Sequence, residues 1–112
     1  MAEIESYHLA VYVPTSHVSA VKDALFAAGA GKTALYDRAC WESAGTGQFR
    51  PLRGAKPYLG NVNQVCSVPE IKIEMICAAS CLDAVLAALR AAHPYEEPAI
   101  LVVALSSLAA PT

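Results

Sequence analysis

Two short segments of this chain gather the residue types that do chemistry. His93-Pro94-Tyr95-Glu96-Glu97-Pro98 places an imidazole, a phenol and two carboxylates on a turn stiffened by two prolines. His93 with Glu96 or Glu97 is a donor set for a divalent metal ion, and the same groups suit proton transfer. A plainer reading stays open: His93 favours the dipole at a helix C-terminus, and the glutamates are solvated or paired with Arg50 or Lys72. The second segment, Gly45-Thr46-Gly47-Gln48-Phe49-Arg50-Pro51, frees the backbone at two glycines, adds the Thr46 hydroxyl and ends on a forked guanidinium. Together these suit a carboxylate or phosphate. Its plainer reading is a glycine turn, with Phe49 anchored in the core and Arg50 paired to a glutamate.

Other patterns carry less. Gly31-Lys32-Thr33 resembles the end of a phosphate loop, but Phe26 stands where that loop needs glycine. Arg50 occupies the third glycine position of a dinucleotide fingerprint, which is therefore absent. Cys77 and Cys81 lack the second pair that a zinc ribbon requires, so the four cysteines are expected as reduced, buried thiols. Ser43 and Cys40 have no identifiable base beside them, and no catalytic residue is assigned.

The elements that must position these segments follow from periodicity. Ser6 to Val13 alternates as a strand ended by Pro14. Thr15 or Ser16 caps a helix with Val18, Val21, Leu25 and Ala28 at helical spacing, stopped by Gly29 and Gly31. Thr33 to Glu42 is expected as a second strand, and Gly45 to Asn63, with four glycines and two prolines, as a long irregular excursion. Val68 to Cys77 alternates as a third strand. Ser80 with Asp83 resembles a capping box for a helix burying Leu82, Val85, Leu86 and Leu89, and His93-Pro94 ends it. Pro98 to Leu105 reads as a strand buried on both faces. The order βαββαβ with right-handed crossovers predicts an α+β, ferredoxin-like sandwich, an antiparallel sheet with both helices on one face. That topology brings Pro14 to His17, the glycine-rich excursion and the His93 to Glu97 turn to one end of the sheet.

The length of 112 residues fits one domain, 1–112, with its core about 6–105 and a tail over 106–112. A net charge of −2 without charged blocks argues against a nucleic-acid partner, and no apolar run is long enough to span a membrane. The acidic N-terminus lacks the pattern of a secretory signal and the cysteines are expected reduced, so the expected location is the cytoplasm. Hydrophobic residues make up 55% of the chain against 16% charged. That excess is partly small-residue packing, since alanine supplies much of it, and partly surface that another subunit could cover, so a homo-oligomer is expected.

Tyr36-x3-Cys40-Trp41, Gly45-Thr46-Gly47-x-Phe49-Arg50-Pro51 with Gly54, Pro57 and Gly60, Ile73-Glu74, and His93-Pro94-Tyr95-Glu96-Glu97-Pro98 together resemble the inserted middle domain of the Nif-three-like family, also labelled GTP cyclohydrolase I type 2-like. The resemblance runs from about Tyr7 to Leu105. It implies a fold like the PII signalling and CutA ion-tolerance proteins, which are ferredoxin-like trimers, and a trimer here. The family's dinuclear-metal residues lie in flanking halves that this sequence lacks, so neither that centre nor the cyclohydrolase label transfers. Where this family often continues Pro98 with an aromatic and an acid, this chain has Ala99-Ile100-Leu101. The expected ligand set is Gly45, Thr46, Gly47, Phe49, Arg50, His93, Tyr95, Glu96 and Glu97, holding a small anion or, through His93, Glu96 and Glu97, a metal ion. The alternatives are an enzyme using His93 with Glu96 or Glu97, and a purely structural assembly module.

Overall fold

The computed structural model describes residues 5–105; the tail expected over 106–112 lies outside the described residues, as does most of the acidic N-terminal segment. Along the chain run β1 (Ser6–Pro14), α1 (Val18–Ala27), β2 (Trp41–Phe49), β3 (Cys66–Ala78), α2 (Leu82–Ala92) and β4 (Ile100–Leu105). The strands form one sheet in the order β2-β3-β1-β4, with every neighbouring pair antiparallel. Both helices pack on the same face, giving the expected ferredoxin-like α+β fold.

Alternation sets what faces the helices. Leu9, Val11 and Val13 of β1 stand opposite Met75, Ile73 and Ile71 of β3, so a single apolar stripe crosses the two central strands. Val21 and Leu25 of α1 and Val85 and Leu89 of α2, each fully buried, close over that stripe. Burial of each such side chain contributes about 1.5–3 kcal/mol. Leu82 and Leu86 pack at the margin of this core rather than inside it.

Four local expectations are corrected. The second strand begins at Trp41 and runs through both glycines to Phe49, so Gly45-Thr46-Gly47 lies in β2 and the irregular segment begins at Arg50. Glycine weakens a strand but is accommodated at a sheet edge, and here space for a neighbouring side chain requires it. Second, β4 is an edge strand whose Leu101 and Val103 are half exposed, not a strand buried on both faces. It borders β1 alone, and its outward face lies on the side of the sheet without helices. Third, neither helix has a side-chain cap; a single turn of 3-10 helix, Thr15–His17 or Ala79–Cys81, leads into each. Fourth, all four cysteines are free, but only Cys77 is buried; the others are half-buried. Burial raises the Cys77 thiol above its ordinary value, with a smaller contribution from nearby Cys81.

Candidate functional site

The register places the two segments together. Gly45 stands directly opposite Glu70 of β3, on the face of the sheet away from the helices. A Cβ on Gly47 would collide with the Glu70 carboxylate, whereas one on Gly45 would meet nothing within 4 Å. Gly47 is therefore the gap into which Glu70 folds, and the side chain is only 8% exposed as a result.

The turn after α2 reaches the same spot from the other side. His93 is buried, and its Nε2 lies 2.7 Å from the Tyr12 carbonyl oxygen at the end of β1. Its Nδ1 accepts from the Tyr95 amide at 3.1 Å. These two bonds define a neutral imidazole with Nε2 protonated. Burial holds its pKa below the ordinary value against the opposing pull of the Tyr12 bond. Fixed this way, the turn swings Tyr95 onto the sheet, where its hydroxyl donates to Glu70 Oε2 at 2.7 Å. Burial first, and then that bond and the Glu70 charge, push the phenol far above its ordinary value, so it remains a donor.

The segment after β2 forms the remaining wall. Gly54 and Gly60 adopt positive φ there, which lets the chain turn sharply. Tyr58 packs edge-on against His17 at 5.4 Å between ring centroids and lies tilted 6.4 Å from Tyr95, while Phe49 lies 5.9 Å from Tyr95. The Lys56 amide donates to Glu96 Oε1 at 3.2 Å, tying this segment to the turn. Between them lies a cleft of about 1010 Å³. Its floor carries Gly45, Gly47, Glu70 and Lys72; its walls carry Phe49, Tyr58 and Tyr95; and Arg50, Arg53, Glu96 and Glu97 stand around them.

Of the residues expected from the sequence, Gly45, Thr46, Gly47, Phe49, Arg50, Tyr95, Glu96 and Glu97 all line this cleft. His93 does not; it sits beneath Tyr95 with both ring nitrogens engaged inside the chain. The expected metal set of His93, Glu96 and Glu97 does not gather, and no group of three or more His, Cys, Asp or Glu able to hold a metal ion occurs among the described residues. Glu70, Lys72, Tyr12, Tyr58 and Arg53 line the cleft without having been singled out as ligands. Glu70 in particular reads in sequence as one more polar residue at the start of a strand.

Known proteins carry both the sequence and the fold. No family model matches the chain. The GTP cyclohydrolase 1 type 2 homolog of Mycobacterium leprae is 46% identical over 95 residues, covering 85% of this chain and 25% of the relative. The chain thus spans about a quarter of the length of the curated relatives it matches. The solved Bacillus cereus protein related to NIF3 superposes with a TM-score of 0.80 at 36% identity, over 96% of this chain and 27% of that one. CutA1 from Shewanella sp. SIB1 has a TM-score of 0.70 at 15% identity, over 98% of this chain and 90% of that one, a likeness of fold. No helix among the described residues is long and apolar enough to cross a membrane.

Proposed function

This chain is homologous to a segment that makes up a quarter of the Nif3-like GTP cyclohydrolase 1 type 2 homologues, and from that premise we propose that it is a non-enzymatic module that self-associates and binds a small anionic ligand in the cleft. The observation that carries this reading is the closure of the cleft by the two chemistry-bearing segments, joined by the bond from the Lys56 amide to Glu96. Arg50 and Arg53 supply forked donors suited to a phosphate or carboxylate, and Phe49, Tyr58 and Tyr95 supply an apolar wall for the body attached to it. His93, neutral and enclosed, acts as a positioning residue that sets Tyr95 rather than as a ligand to metal or substrate.

Self-association rests on the sheet edges. Trp41 on β2 is 68% exposed, and Leu101 and Val103 on β4 are 50% and 54% exposed. Apolar edge strands left open to water invite pairing with another chain. Joining the unlike edges of successive copies is a head-to-tail contact, which forms a ring where the rotation closes; the ring this reading assigns is a trimer. Four free thiols fit a reducing compartment, and the cytoplasm is the location this reading assigns.

The test is a calorimetric titration with phenyl phosphate, alongside light scattering to follow assembly. Arg50→Ala is expected to weaken binding by about tenfold, the scale of one lost charge-assisted hydrogen bond. Unchanged binding together with unchanged assembly would contradict the reading.

A further inference from the structure

Glu70 is the one strongly buried acid in the described part of the chain, and its partners do not account for it. Oε2 accepts from Tyr95, but Oε1 has no hydrogen-bond partner and no cation lies within ion-pair distance among the described residues. Lys72, two residues along the same face, turns instead toward Glu74 at 3.5 Å. Among those residues no fully buried side-chain oxygen lacks a partner, so Oε1, the oxygen lodged at the Gly47 gap, keeps some exposure, and Glu70 lines the cleft. A carboxylate withdrawn from water on a single neutral donor is costly to maintain. Two features nevertheless hold it there: the missing side chain at Gly47, and a phenol kept protonated at Tyr95.

Building on the binding reading above, we infer that Glu70 is the specificity-determining residue of the cleft and selects a ligand bearing an amine at one end of a flat body whose other end is anionic. Oε1 receives the ammonium N–H, a charge-assisted bond to a carboxylate that the fold has largely withdrawn from water. The rings of Tyr95 and Tyr58, 6.4 Å apart between centroids, line the same cleft as Glu70 and match a flat aromatic body; they also favour a cation near their faces. Arg50 and Arg53 take the anion. The ligand class is an amine-bearing aromatic anion. An anion alone satisfies the arginines but leaves Oε1 unpaired.

Two probes of nearly equal shape separate this from the broader reading: 4-(aminomethyl)phenyl phosphate, and 4-ethylphenyl phosphate, in which a methyl replaces the ammonium. Calorimetry on the full chain is expected to give roughly tenfold or more tighter binding of the amine. Glu70→Gln, which keeps an acceptor for Tyr95, is expected to erase that preference, bringing the two probes to equal affinity. Glu42→Gln, which removes one carboxylate outside the cleft lining, should retain the preference, which separates Glu70 from a general loss of negative charge. Equal affinity for the two probes in the native protein overturns the role of Glu70 and leaves the anion reading standing, and so does a preference that survives Glu70→Gln. Binding of neither probe overturns both. If Glu70→Gln fails to fold, the comparison of the two probes on native protein still decides.

Discussion

The Tyr95 hydroxyl donates to Glu70 Oε2 at 2.7 Å, joining the turn after α2 to β3 on the sheet's open face. This bond is where a proline-stiffened turn, a central strand and a glycine gap meet, and the first two of the following expectations derive from it.

Tyr95→Phe removes the donor and leaves a buried carboxylate with no partner. The expected loss is about 1–3 kcal/mol, and a domain of this size loses about 4–8 °C of Tm for each kcal/mol. Chemical denaturation of the two proteins side by side measures it.

Gly47→Ala and Gly45→Ala should differ although the residues are two apart on the same strand. At position 47 the added methyl displaces the Glu70 carboxylate from its bond to Tyr95, with an expected cost of about 1–3 kcal/mol. At position 45 the methyl meets open space, and the change should stay within about 0.5 kcal/mol. Equal urea midpoints for the two variants would contradict the role given to Gly47.

The contrast between those glycines shows where the sequence stops being legible. β1, α1, β3 and α2 follow from apolar spacing, because each presents one continuous stripe, such as Leu9, Val11 and Val13, to a common core. β2 does not, because its residues are nearly all exposed and its partner across the gap is Glu70, which lies in another strand. An edge strand held by one neighbour's side chain leaves no periodic signal. β4 misleads in the opposite sense: Ile100 to Leu105 is as apolar as a buried strand, yet its outer face, with Leu101 and Val103, is half exposed. Most of the cleft was visible through its two motifs. The enclosure of His93 was not, since its partners Tyr12 and Tyr95 become neighbours only through tertiary folding.

Stability should fall as pH drops below the ordinary histidine value of 6.5. His93 is neutral in the fold and its pKa there is lowered, so the unfolded chain takes up a proton that the folded chain refuses. The contribution is complete above that value, declines as pH falls through it toward the lowered folded value, and then levels off. Groups around the ring pull both ways: the Tyr12 carbonyl and Glu70 favour protonation, while burial and His17 oppose it. Urea midpoints at pH 7.5 and 5.5 should differ more in the native protein than in His93→Gln; equal differences would remove His93 from the account.

Val103→Lys places a charge on the exposed face of β4, away from the core and the cleft. Assembly through that edge should weaken, shifting the mass measured by light scattering toward one chain while the thermal transition persists. Retention of the full assembly would exclude the β4 edge as the contact.

The central claim, an assembly that holds a small anion between the two motifs, is tested most directly by native mass spectrometry of protein purified without chelator or added phosphate. The account predicts a trimer carrying extra mass that disappears in Arg50→Ala. A bare monomer, with neither partner copies nor extra mass, would contradict it.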